Sequence, residues 1–491
     1  MKKWIVVVLI LVPIVWAARW FIAGGNTSGD ADGPNIILII ADDLGPQLGT
    51  YGDAVARTPN IDRLAREGTQ FNAGYVTTAS CSPSRGSILT GLYPHQHGMM
   101  GLSQFGTQRM HDGVPKLPNA LKNLGYRTAI IGKRHYEPSD QFQWDREEED
   151  GKTVMFDRDV LRMNQRAMDF IDNDAQGKPF FLVMSYVDPH RGDSDDGANY
   201  GQGRNVKFPR VKLGLPPDPT PPSQIQPFPF LGVDSPEIRE ELADFYGAVD
   251  RLDIGVGDLV KQLEQRGLWD DALVIFVGDH GPDVTRGKMA VYESATRIPF
   301  LVKAPGSTLG QQREELVSTV DIFPTILEAA GENPSESQPG RSLLPLTGPA
   351  AAPDWRPYLF TEFITHGPEH FYPRYAVRDA RYKLIYNVLG GERENPLGTA
   401  SYCSAWWEAM KPEYLHTPIR AVYDRVENPP QIELYDLLAD PYEWNNLAED
   451  PALAAVRDGL MLQIKTWREA TSDPLLDPVE FRKEELKRRR K

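Results

Sequence analysis

Cysteine is nearly absent: the 491 residues hold two, Cys81 and Cys403. That excludes a disulfide framework, and a chain this long needs none, because its core buries most of its surface unaided. A single Cys81–Cys403 bridge stays open, beside the plainer reading of Cys81 as a buried thiol. Positive charge is also in deficit, with 53 Lys and Arg against 68 Asp and Glu and a net charge of −15. Such a surface repels nucleic acid and other long polyanions, whereas a locally basic pocket still admits a small anion. No internal period recurs, so a repeat architecture is excluded. At 41% hydrophobic and 25% charged residues, what remains is an ordinary globular protein of one large or two medium domains.

The N-terminus places two lysines before 15 uncharged residues, Trp4 to Ala18, which is the form of an export signal. An extracytoplasmic protein, periplasmic or secreted, is therefore expected. Trp16 and Phe21 break the small-x-small cleavage pattern before Ala18 and Ala23, while Ala23 and Gly25 suit it. If the segment is retained, Trp4 to Ala23 spans 20 residues, enough for a membrane anchor with Lys2 and Lys3 inside. Gly24 to Gly33 reads as a flexible tether, and residues 1–33 stand apart from the fold.

From Pro34 onward short apolar runs alternate with helical segments, the pattern of an α/β sheet covered by helices. Strands are expected at Asn35 to Ala41, around Thr128 to Ile131, at Phe180 to Val187 and at Ala272 to Val277. Leu242, Phe245, Val249, Leu252, Val256, Leu259 and Leu263 step by 3 or 4 residues and give a long helix one apolar face. Ser235 caps it, Pro236 lies in its first turn and Gly267 closes it. Between Asp188 and Ser235 the text turns to Asp, Gly and then Pro, with eight prolines from Pro209 to Pro229, which reads as a rim or lid loop. "GPAAAPDWRP", from Gly348 to Pro357, marks a boundary between a larger domain, 34–350, and a smaller C-terminal α+β subdomain, 351–491. The latter is expected to hold a hairpin turning at Asp379 and Ala380, a strand in "IELYDLL", and a solvated basic helix end in "FRKEELKRRRK".

Each of the four strands runs directly into reactive residues: Asp42 and Asp43, Lys133 and His135, Asp188 and His190, Asp279 and His280. One such pair is usually a turn carboxylate or a surface histidine, but four together point to a site, since ligands of open α/β sheets bind beyond the carboxyl ends of strands. Asp42, Asp43 and Asp279 would repel one another if they converged, and a hard divalent cation such as calcium resolves this. His280 fits calcium less well than zinc or manganese, although one nitrogen ligand can be carried. Ser82 and Pro83 read as cap and first residue of a helix ending at Gly91, so Cys81 stands at a helix N-terminus beside Arg85, where an anion is favoured.

"CSPSR" followed by "SILTGLYPHQHG" resembles the maturation signature of the type I sulfatases, Cys-x-Pro-x-Arg. The resemblance extends from Pro34 to about Asp473 through "ADD", "IIGKRH", "VDPHR", "GDHG", "GKMAVYE", "GRSLLP" and "ELYDLLADPYEWNNLAED". It implies an alkaline phosphatase-like fold with a smaller C-terminal subdomain. It further implies that Cys81 is oxidised to formylglycine (3-oxoalanine) by a formylglycine-generating maturation enzyme, and that the hydrated aldehyde is the nucleophile. Asp42, Asp43, Asp279, His280 and the modified Cys81 would bind one divalent ion, calcium by expectation. Arg85 and Lys133 would hold the diol and sulfate, and His135 would assist sulfate release. His190 and Lys288 would contact the sulfate and protonate the leaving group. Asp188 and His366 are the expected contacts to the sugar.

Within the family, "SCSPSRGSILTGLYPHQHGMMGLSQ", "DPHR" and "YAVRDARYKLIYN" resemble the sulfamidase branch, whereas His280 and "GKMAVYE" look like other branches. The substrate this implies is a sulfated saccharide, with N-sulfoglucosamine at the end of a heparan or heparin fragment leading. An O-sulfatase on another sulfated carbohydrate, a phosphodiester or phosphonate monoester hydrolase, and an inactive glycan-binding protein are the competing readings.

Overall fold

The computed structural model describes residues 33–105, 108–148, 158–192, 208, 220–335, 337–349, 354–392, 394–396 and 403–489. The export segment, most of the proline-rich excursion and the stretch 350–353 at the expected boundary lie outside the described residues. Among the described residues no helix is long and apolar enough to cross a membrane.

Ile36–Ala41, with six buried residues in succession, can only be a strand covered on both faces, and it sits inside an eight-stranded sheet. In spatial order the strands are Arg146–Glu148, Arg127–Gly132, Phe180–Tyr186, Ile36–Ala41, Leu273–Gly278, Phe300–Lys303, Thr69–Phe71 and Gln311–Arg313. Pairing is parallel except at Phe300–Lys303, which runs antiparallel to both neighbours. All four expected strands are present, each within about a residue of its expected ends, and they stand side by side as the second to fifth strands of this sheet.

Side chains alternate across a strand, so Ile37, Ile39 and Ala41 enter one core while Ile36, Leu38 and Ile40 enter another. Helices Pro59–Glu67, Val160–Phe170 and Pro236–Gln265 close the first core, and Cys81–Thr90, Leu117–Asn123 and Ile322–Ala329 close the second. The expected α/β class, with helices on both faces, is thus the observed one. Each Ile or Leu so buried contributes about 1.5–3 kcal/mol. The long helix starts as its sequence indicates: Ser235 Oγ accepts from Ile238 N at 3.3 Å, Pro236 opens the first turn, and Gly267, at φ 67°, follows the end.

The helix at Cys81 begins earlier than expected. Ser80, extended at φ −148°, is the cap, and Ser84 N bonds Ser80 O at 3.0 Å to close the first turn. Ser82 does not cap because its hydroxyl is engaged by Ser103, whose backbone N donates to it at 3.0 Å. The two cysteines are free and buried, so the Cys81–Cys403 bridge is not formed.

A four-stranded antiparallel sheet of Leu359–Phe363, Arg374–Arg378, Tyr382–Asn387 and Ile432–Asp436 makes the C-terminal region. Its hairpin turns where the sequence indicates, with Asp379 Oδ1 accepting from Arg381 N and Tyr382 N at 2.7 Å each. The basic end forms helix Pro478–Arg489.

His95 joins the two regions. Its Nδ1 meets Glu362 Oε2 at 2.7 Å, its backbone N donates to Glu362 Oε1 at 2.9 Å, and its Nε2 meets Thr471 Oγ1 at 2.9 Å. Burial opposes charge on His95, but the Glu362 carboxylate outweighs it and raises the imidazole pKa above its ordinary value. A group whose folded pKa is raised stabilises fully below its unfolded pKa, and that gain is lost as pH rises through the folded value. The melting temperature of the wild type should therefore exceed that of Glu362→Gln by more at pH 6 than at pH 9. An equal difference at both pH values would refute the ion pair.

Candidate active site

Strand register brings the reactive residues together. Ala41 pairs with Gly278 on one side and Tyr186 on the other, and Gly132 pairs with Ser185, so Asp42, Asp279 and Lys133 leave the same edge of the sheet side by side. Gly132 has φ 98°, and a Cβ there would stand 2.3 Å from Ser185 O, so this turn toward Lys133 requires glycine. Asp43, at φ 63°, holds a left-handed conformation that is strained for a side chain with a Cβ.

Lys133 Nζ bonds Asp42 Oδ2, Lys288 Nζ bonds Asp43 Oδ1 at 2.9 Å and Oδ2 at 3.1 Å, and Arg85 Nε bonds Asp279 Oδ2 at 2.9 Å. The three acids do converge, as the sequence indicates, yet each has a cation of its own. Charge repulsion alone therefore does not demand a metal. The stronger indications are the donors left over. Asp42 Oδ1 is buried with no hydrogen-bond partner among the described residues. His280 places Nδ1 3.0 Å from Gly281 O, so a proton there directs the Nε2 lone pair inward, 3.3 Å from Asp43 Oδ1 and 3.3 Å from Cys81 Sγ. Ligand atoms from Asp42, Cys81, Asp279 and His280 all lie within 4.8 Å of one another, as do those from Asp42, Asp43, Cys81 and His190. The donor set, carboxylate oxygens with one imidazole, fits a divalent cation.

Burial raises the Asp42 carboxyl, but Lys133, Arg85 and Lys288 together hold it well below the usual carboxylate range. Burial pushes Asp43 well above that range, Lys288 only partly offsets this, and Asp42 adds to the rise, so one more positive charge would be well placed there. Burial also raises the Cys81 thiol against the pull of Lys133 and Lys288. Desolvation thus outweighs the anion-favouring helix N-terminus and the nearby cations, and Cys81 is held as a thiol. Burial, then Lys133 and Arg85, lower His135; burial, then Lys288, lower His190; both imidazoles are neutral in this pocket.

The family model described as Sulfatase matches residues 34–332, over this whole constellation. The chain belongs to the sulfatase family. A second model, N-sulphoglucosamine sulphohydrolase, C-terminal, matches residues 281–393. This sulfatase is 33% identical to human N-sulphoglucosamine sulphohydrolase, across 90% of the chain and 91% of the relative. It is 28% identical to an ulvan-active sulfatase of Formosa agariphila, across 92% of the chain and 83% of that relative. Its fold is shared with BT4656, solved in complex with its substrate D-glucosamine-2-N,6-O-disulfate, at TM-score 0.67 and 20% identity, covering 90% and 99% of the two chains. The protein is accordingly a hydrolase of sulfate esters or sulfamates.

The sulfatase site departs from the sequence reading at Asp188. Its carboxylate does not face the pocket but is gripped by Arg158 and by Arg251, whose Nε bonds Oδ2 and whose Nη2 bonds Oδ1 at 2.5 Å each. A carboxylate that is 1% exposed and paired with two buried guanidiniums is committed to those ion pairs rather than to a sugar. Arg158 Nη2 also donates to His190 O at 2.7 Å, so Asp188 supports His190 from behind. His366 does reach the site, with Nδ1 2.9 Å from Ser80 Oγ, beside the residue that precedes Cys81.

Several site residues escaped the sequence reading. Ser185 Oγ accepts from Arg85 Nη1 at 2.5 Å and donates to Lys133 O at 2.6 Å; its one sequence signal was a hydroxyl inside the apolar run "FFLVMSY". Arg158, just ahead of helix Val160–Phe170, and Arg251, inside helix Pro236–Gln265, carried no local signal.

Proposed function

We propose that this sulfatase releases sulfate from N-sulfoglucosamine at the end of heparan or heparin fragments. The observation that carries the reading is the 33% identity to human N-sulphoglucosamine sulphohydrolase over nine-tenths of both chains, with the C-terminal model spanning Lys288 and His366. The net charge of −15 disfavours a long polysulfated chain, whereas Arg85, Lys133 and Lys288, buried around Cys81, favour one terminal anion.

A buried neutral thiol is a poor nucleophile, so Cys81 serves as the precursor of formylglycine made by a maturation enzyme. When hydrated, that group supplies one hydroxyl to attack sulfur and a second whose deprotonation restores the aldehyde and expels sulfate. Asp42, Asp43, Asp279, His280 and the modified residue 81 would hold a calcium ion, which would supply positive charge to offset the sulfate. Arg85, tied to Asp279 Oδ2 and to Lys133 O at the end of its strand, holds the diol and sulfate, and Lys133 and Lys288 offset the substrate's charge. The sulfamate anion favours the charged form of His190, which then returns a proton to the departing amine. His135 removes the proton that releases sulfate.

The test is to measure free sulfate from glucosamine N-sulfate, glucosamine 6-sulfate and a 2-sulfated uronate disaccharide, with a phosphonate monoester alongside. Release from the N-sulfate above all others is expected. Release from the O-sulfates alone would overturn the substrate, and faster phosphonate cleavage would favour the competing hydrolase. The lysines and apolar run at the N-terminus further support an extracytoplasmic location, and N-terminal sequencing decides between an anchor and a mature chain starting near Asn26.

A further inference from the structure

His135 is a half-buried histidine at φ 58° whose outer partner is an exposed side chain: its Nε2 bonds Gln104 Oε1. Gln104 belongs to the one-turn segment Ser103–Phe105, and three contacts seat that segment against the catalytic machinery. Ser103 N donates to Ser82 Oγ at 3.0 Å, and Ser82 Oγ lies 3.2 Å from Ser103 Oγ, so the segment is tied to the residue next to Cys81. Leu102 N donates to His366 O at 2.9 Å, which ties it to the C-terminal loop. At Gly101 a Cβ would lie 2.6 Å from Thr365 Cγ2 and 3.0 Å from His366 O, so this close approach depends on glycine.

A side-chain carbonyl accepts hydrogen bonds and cannot donate them, so Gln104 Oε1 keeps the proton of the neutral ring on Nε2 and leaves the lone pair on Nδ1. His135 Nδ1 is buried and has no hydrogen-bond partner among the described residues. A buried, unpartnered basic nitrogen is costly unless a proton donor arrives during the reaction. We infer that Gln104 is a positioning residue, selecting the tautomer in which His135 Nδ1 takes a proton from the hydroxyl on residue 81. In that step Nδ1 gains the proton, the O–H electron pair becomes the second bond of the aldehyde C=O, and the carbon–oxygen bond to the sulfate breaks. The bonding pair leaves with sulfate, and the imidazolium returns its proton to water. The amide suits this task because it is neutral. The groups around His135 are Lys133, Arg85 and Lys288, which disfavour the imidazolium, and Asp42, which favours it; a carboxylate at position 104 would add to the latter.

The inference rests on the proposed role of His135 in sulfate release, and the experiment keeps the two apart. The matured enzyme, labelled with 15N at histidine, is compared with Gln104→Leu and Gln104→Glu by the nitrogen shifts of His135, assigned with a His135→Asn variant. Expected are an Nε2-protonated ring in the wild type, a proton shared between both nitrogens in Gln104→Leu, and the wild-type tautomer in Gln104→Glu, which keeps an acceptor. For Gln104→Leu, kcat should fall about tenfold or more with KM within about twofold. A wild-type ring protonated on Nδ1, or a Gln104→Leu ring still protonated wholly on Nε2, overturns the inference. A changed tautomer with unchanged kcat overturns the role given to His135, whereas a wild type inert on every sulfated sugar overturns the substrate reading and leaves the tautomer result standing.

Discussion

Cys81→Ala is expected to lower sulfate release by about 10⁵- to 10⁶-fold, the scale on which a covalent nucleophile is lost. The residue is 1% exposed, at the start of a helix whose ten residues are all buried, and its sulfur lies 3.3 Å from His280 Nε2. Removing one sulfur atom there leaves the ion pairs Arg85–Asp279, Lys133–Asp42 and Lys288–Asp43 in place, so the melting temperature should change little. The residue-81 peptide of the active wild type should weigh about 18 Da less than the cysteine form, as exchange of the thiol for an aldehyde requires. A fully active preparation carrying only cysteine at that position would defeat the formylglycine reading. A Cys81→Ala protein that unfolds at room temperature would show that the thiol is structural.

Chelation should have the next largest effect. Dialysis against EDTA is expected to remove one divalent ion per chain and abolish activity, with calcium restoring both. Asp42→Asn should weaken ion binding by more than the about 10–100-fold that a merely supporting partner costs, because Asp42 Oδ1 is buried, accepts no hydrogen bond among the described residues and has only Arg85 Nη2, 3.7 Å away, as an ion-pair partner. Stability offers a readout independent of turnover: an ion at 100 times its Kd adds about 2.7 kcal/mol to the native state. Calcium should thus raise the melting temperature of the wild type and not that of Asp42→Asn. Retention of full activity with no stoichiometric ion would remove the metal, while manganese or zinc in its place would change only its identity.

Much of this was legible in the text of the chain. The apolar runs and the 3–4 spacing on the long helix declare strands and helix because a period of 2 or 3.6 puts every apolar side chain on a buried face. The clustering of Asp, Lys and His directly after strands declares a site for the same reason: sheet edges are where chains turn and ligands bind. The errors arose where a side chain's partner is remote. Asp188 has the look of a site acid, but Arg158 and Arg251, 30 and 63 residues away, claim it. Ser82 has the look of a cap, but Ser103 takes its hydroxyl. Likewise three converging acids suggest an unmet charge, yet cations from Arg85, Lys133 and Lys288 meet each of them.

The amino-acid sequence by itself determined the α/β class, the central strands, the position of Cys81 at a helix start and the family signature around it, since all of these are written in local spacing and residue type. Only the tertiary structure decided which nitrogen of His280 faces the pocket, which oxygen of Asp42 accepts no hydrogen bond among the described residues, and which way burial shifts the Cys81 thiol. Those properties depend on register and burial: Asp43 N meets Asp279 Oδ1 at 3.0 Å across 236 residues because Ala41 pairs with Gly278, and burial in the pocket so formed shifts Asp43, Cys81, His135 and His190 toward their uncharged forms.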